Sequence, residues 1–96
     1  MPVVRPALKA DEAGRTTLAW DDVSRAIGEL RAGRSVEISP PGDDPDKFYD
    51  EVRGFDLFRK SVESLCDRVQ ASKSPVRYSV AVDGYGSKRL IATRTQ

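Results

Sequence analysis

The residues best suited to chemistry lie near the C-terminus, where Gly84, Tyr85, Gly86 and Ser87 run into Lys88 and Arg89. Two glycines let backbone N–H groups approach a phosphate, and the adjoining bases supply positive charge. A P-loop needs wider glycine spacing and a helix directly after it, and neither is present. The dinucleotide fingerprint also fails, because it lies between a strand and a helix. What remains is the tip of a β-ribbon carrying one aromatic, Tyr85, able to enter a groove or stack on a base. An ordinary hairpin turn with solvated charges is the simpler alternative. Lys and Arg on an exposed edge strand also guard against sheet-to-sheet aggregation.

Other reactive groups point less clearly to a site. Asp43, Asp44, Asp46, Asp50 and Glu51 form an acidic cluster of the kind that attracts Mg²⁺ or Ca²⁺. Their spacing lacks the glycine and terminal glutamate of a calcium loop. Acids at a helix N-terminus explain the cluster without a metal, so none is expected. Cys66 has no histidine anywhere in the chain to serve as its base, and reads as a structural thiol. The lack of histidine also removes the common zinc sets and every His-based acid–base mechanism. No serine or threonine sits in a nucleophile elbow. The expectation is a non-enzymatic chain without a cofactor.

Hydrophobic spacing gives the elements that must position these groups. Val3 to Ala10 and Arg15 to Trp20 read either as two short strands of a hairpin or as a loose N-terminal arm, extended in part because Pro2 and Pro6 oppose helix. Val23, Ala26, Ile27 and Leu30 place a helix over about residues 22–32, capped by Asp21 or Asp22 and closed by Gly33. Arg34 to Ser39 alternates as a strand and stops at Pro40, Pro41 and Gly42. Asp44 and Pro45 then open a second helix over about residues 45–71. Its apolar stripe runs through Phe48, Val52, Phe55, Phe58, Val62, Leu65 and Val69, with a bend or break at Gly54.

Val76, Tyr78, Val80 and Val82 alternate with polar residues as the first strand of a C-terminal hairpin, about 76–83 and 88–95. In the return strand, either Leu90 and Ala92 or Arg89 and Ile91 face inward. The order predicts a single α+β domain, helices packed on a mostly antiparallel sheet.

Composition narrows the function classes. Ninety-six residues with 39% hydrophobic and 32% charged side chains suit one core without disulfides. No apolar run reaches the length of a membrane span, and the first residues lack the apolar region of a secretory signal, so a cytoplasmic setting is expected. Eleven Arg against five Lys, with abundant Ala, Asp and Val, suggests a GC-rich bacterial or phage gene.

The net charge of +1 hides an asymmetry: residues 1–50 carry −3 and residues 51–96 carry +4. From Arg68 onward there are six bases and one acid, Asp83. The first expectation is therefore DNA or RNA binding through Arg77, Tyr85, Lys88, Arg89 and Arg94. The alternative is a protein partner or homodimer, docking on an apolar helix surface at Leu57 or Phe58.

Overall fold

Alternation in the C-terminal hairpin decides the sheet. In the computed structural model, which describes residues 2–83 and 88–96, β5 (Tyr78–Asp83) pairs antiparallel with β6 (Arg89–Arg94). Leu90 lies opposite Val82, Ala92 opposite Val80, and Arg94 opposite Tyr78. Leu90 and Ala92 are fully buried, so of the two registers open to the sequence this one prevails. The other would have put the Arg89 guanidinium where it costs most to desolvate.

On its other side β6 pairs antiparallel with β4 (Ser35–Ile38), again matching Ile38 to Leu90 and Val36 to Ala92. A two-residue strand, β1 (Val3–Val4), adds in parallel beyond β4 and completes the order β1-β4-β6-β5. The parallel pair arises because the chain between β1 and β4 contains a helix and crosses over one face of the sheet. Before that helix, β2 (Ala7–Ala10) and β3 (Thr16–Ala19) form a separate antiparallel ribbon. Asp11 builds its turn: the carboxylate accepts from the N–H of Ala13 at 3.0 Å and Arg15 at 2.8 Å, and Gly14 supplies a φ of +78°.

The first helix, α1 (Asp21–Gly28), is shorter than the apolar spacing predicts. Trp20 occupies the N-cap position without a side-chain cap, while Asp21 and Asp22 sit inside the first turn, favoured there by the helix dipole. The early stop at Gly28 has a tertiary cause. Lys73 donates its Nζ to the Gly28 carbonyl at 2.7 Å, and Arg94 donates Nη1 to the Leu30 carbonyl at 2.9 Å. Those carbonyls are satisfied from outside the helix, so another turn is not needed to cover them. Gly33, at φ +81°, shapes the following turn and donates its N–H to the Arg94 carbonyl.

The long apolar stripe divides at Gly54 into α2 (Pro45–Glu51) and α3 (Phe55–Ser72). Asp44 caps α2, its carboxylate accepting from the N–H of Asp46 at 3.1 Å and Lys47 at 3.3 Å. Asp44→Ala removes this side-chain acceptor. The substitution is expected to lower stability by about 1 kcal/mol, read as a drop in Tm, with helix content otherwise kept. The break also redirects one stripe member: Val52, 52% exposed, leaves the core.

Helices α1 and α3 cover one face of the sheet. Val23 and Ile27 of α1 meet Val36 and Ile38 of β4, and Phe58, Val62, Leu65 and Val69 of α3 close over them. Phe58 anchors the centre, its ring 5.5 Å from Trp20, 5.7 Å from Phe48 and 5.8 Å from Tyr49 between centroids. Among the described residues, no helix is long and apolar enough to cross a membrane.

Candidate nucleic-acid interface

The hairpin bases do not share one face. Leu90 and Ala92 point into the core, so Lys88 and Arg94 fall on their side of the strand and Arg89 on the opposite side. Arg94 is held by backbone carbonyls: Nη1 donates to Leu30 and Nε to Gln96, each at 2.9 Å. Arg89 pairs with Glu37, Nε donating to Oε1 at 2.6 Å and Nη2 meeting the same oxygen.

The Lys88 ammonium stands 5.6 Å from the centroid of the Tyr49 ring, whose hydroxyl donates to the Lys88 carbonyl. Arg77 is exposed beside the start of β5, and its carbonyl accepts from the Thr95 N–H. The length of β5 separates Arg77 from Lys88 by about 20 Å. Tyr85 lies outside the described residues. The apolar-surface expectation divides as well: Leu57 is 61% exposed, whereas Phe58 is wholly buried and offers no surface to a partner.

A different set of bases does converge. Along α3, Leu57, Lys60, Ser61, Ser64 and Arg68 recur at intervals of three and four, which places them on one flank. That flank lines a groove of about 620 Å³, with Arg53 entering from the α2–α3 joint and Trp20 from the end of β3. Arg53 is positioned by its surroundings: its N–H donates to the Phe48 carbonyl, and Nη1 reaches Ser61 Oγ at 3.4 Å. Ser61 in turn donates to the Leu57 carbonyl at 3.0 Å.

A second hollow, of about 450 Å³, shares Trp20 and Arg68 with the first and continues past Ser24 to Ser72. One acid, Asp21, lines it. Among the described residues, Arg53, Lys60 and Arg68 form no ion pair. Three cations outside ion pairs among the described residues line one groove and raise the local concentration of anions, tempered by Asp21 in the second hollow and by Asp56 one helical turn before Lys60.

Glu63 and Asp67 line a separate hollow with Cys66, Tyr78 and Val80, and Arg59 pairs with Glu63 at 3.0 Å. Burial, reinforced by Asp67 and Glu63, pushes the Cys66 thiol up to about 11, so it is not a nucleophile near neutrality. Burial, with Asp46 adding, likewise pushes the Tyr49 hydroxyl up to about 12.

Both groups are held protonated by the fold, so each shift lifts the folded value above the unfolded one. Their stabilisation is complete below their ordinary values of 9.0 and 10.0 and is lost as pH rises toward 11 and 12. Tm is therefore expected to hold level up to about pH 9 and to fall beyond it. A thiol reagent at pH 8 should label Cys66 rapidly only after denaturant is added.

Sequence reasoning passed over Arg53, Lys60, Arg68 and Trp20 as site residues. Acids interleave with the bases along α3, so residue counts by segment average the charge away. Following side chains at helical spacing, in the way the apolar stripe is followed, sets Lys60, Ser64 and Arg68 on one line with Asp56 at its start. Trp20, forty residues earlier than Lys60 in the chain, reaches the groove only through tertiary packing. The acidic cluster has a structural account through Asp44, and among the described residues no three metal-ligating side chains gather. Comparison with protein-family models, with curated proteins and with solved structures finds no match to this chain.

Proposed function

We propose that this chain is a small non-enzymatic binding module that engages nucleic acid, DNA in the first instance, through the phosphate backbone. One observation carries the reading: Arg53, Lys60 and Arg68 line a single groove with Trp20, and none of them is in an ion pair among the described residues. Phosphates entering the groove release condensed counterions, and that release drives the affinity. Lys88 and Arg77 add outlying contacts. Arg89 and Arg94 contribute less, because Glu37 and backbone carbonyls already engage them.

The test is an anisotropy titration with labelled single-stranded and duplex DNA at two salt concentrations. Three phosphate contacts on a single strand give a slope of log K against log salt of about −2. Affinity should then fall about twentyfold between roughly 50 and 200 mM salt. Absence of binding at the lower salt refutes the reading.

A protein partner or a second copy is the alternative reading. It rests on Leu8, 47% exposed, and Val52, which line one shallow groove together with Pro41. Light scattering on the same sample discriminates: a dimer mass without DNA binding favours this surface.

A further inference from the structure

Resting on the nucleic-acid reading, we infer that the groove takes a single strand in preference to a duplex, with one base stacked on Trp20. Trp20 is half-buried, and its ring leans on Phe58 at 5.5 Å between centroids with a 41° tilt. That contact fixes the indole from the core side. Its remaining surface forms wall in both adjoining hollows, which meet at Trp20 and Arg68. A half-buried aromatic packed against the core loses less conformational freedom than a free side chain when a flat ligand lies against it.

The volumes, about 620 and 450 Å³, fall in the range of roughly 300–1,000 Å³ typical of pockets for small organic ligands. Both hollows open broadly to solvent, so a base and its sugar can lie in them without being enclosed. A single strand can bring an unpaired base against Trp20, whereas a duplex keeps its bases paired and stacked.

The cations suit a strand laid along α3. Lys60 and Arg68 are separated by about 12 Å of helix rise, enough to span consecutive linkages of an extended strand, and Arg53 extends the row. Ser61 and Ser64 stand between them, small enough to let the backbone approach, and the exposed Ser64 hydroxyl can donate to a phosphate oxygen. Cationic track and aromatic platform together are the usual recipe for sequence-tolerant single-strand binding.

The experiment titrates the full chain at low salt with a short oligothymidylate and, separately, with a mixed-sequence duplex of equal length. Trp20 is the only tryptophan, so its fluorescence reports the groove directly. The expected result is saturable quenching by the single strand and about tenfold weaker binding of the duplex. Trp20→Leu should cost about tenfold in single-strand affinity and leave duplex affinity unchanged. Should Trp20→Leu lose its fold by circular dichroism, the wild-type fluorescence comparison still decides. Equal affinity for both ligands with unchanged fluorescence overturns this inference and leaves the nucleic-acid reading standing. Absence of binding to either ligand overturns both.

Discussion

Phe58→Ala is expected to cost about 3–5 kcal/mol, a large share of the roughly 5–15 kcal/mol that holds a domain of this size folded. Phe58 is fully buried where α2, α3 and the end of β3 meet, its ring centroid 5.5 Å from that of Trp20, 5.7 Å from Phe48 and 5.8 Å from Tyr49. Truncation leaves a cavity bordered by aromatic rings that cannot collapse without shifting helices. A urea titration should show the midpoint falling sharply with little change in slope. Its neighbour Leu57 is the internal control. At 61% exposed, Leu57→Ala should stay within about 0.5 kcal/mol of wild type. A small effect at Phe58 would mean that α3 does not pack in the orientation described.

That contrast between adjacent residues marks how far the sequence carries. Periodicity places α3, most of its core stripe and a bend or break at Gly54, because a helix must repeat its apolar residues along one face and glycine is a poor helix former. The stripe holds Phe58 and omits Leu57, yet spacing alone does not say how deeply either is buried. The break sets the rotation of α3 relative to the sheet, and rotation is a tertiary property. The C-terminal hairpin is legible for the same local reason, yet its inward register is not: Arg89 and Ile91 alternate as well as Leu90 and Ala92 do. Only pairing with β4, which sets Ile38 against Leu90, removes the ambiguity.

The extended reading of residues 3–10 covers β1 but not its separation from β2, and nothing local in Val3 and Val4 announces a parallel partner more than thirty residues away. The site is the least legible part. Charge along the chain favours the hairpin, but a base matters to a phosphate only where no carboxylate or carbonyl holds it. The sequence does not reveal that Arg94 reaches back to Leu30 or that Arg89 reaches across to Glu37.

This difference between total and available charge gives the second large effect. Lys60→Glu with Arg68→Glu is expected to weaken single-stranded DNA binding by about fiftyfold or more at roughly 50 mM salt. Two of three phosphate contacts are lost, and the new carboxylates repel the strand besides. The salt slope should shrink from about −2 to below −1 in magnitude, which a merely unfolded variant would not produce in an orderly way. Stability should change little, because both side chains are exposed and, among the described residues, neither is in an ion pair. One local penalty comes from Lys60→Glu, which sets a carboxylate one helical turn from Asp56 and costs about 0.3–0.5 kcal/mol.

The matching hairpin variant, Lys88→Glu with Arg89→Glu, changes the formal charge equally. It should weaken binding far less, since Glu37 already engages Arg89 and only Lys88 is offered to a phosphate. Because Glu37 loses its partner in that variant, its Tm must be compared before affinities are. Equal charge changes with unequal losses locate the contact in the groove. The opposite ranking, with the hairpin variant losing binding and the groove variant keeping it, returns the site to β5 and β6 and leaves Trp20 as packing alone.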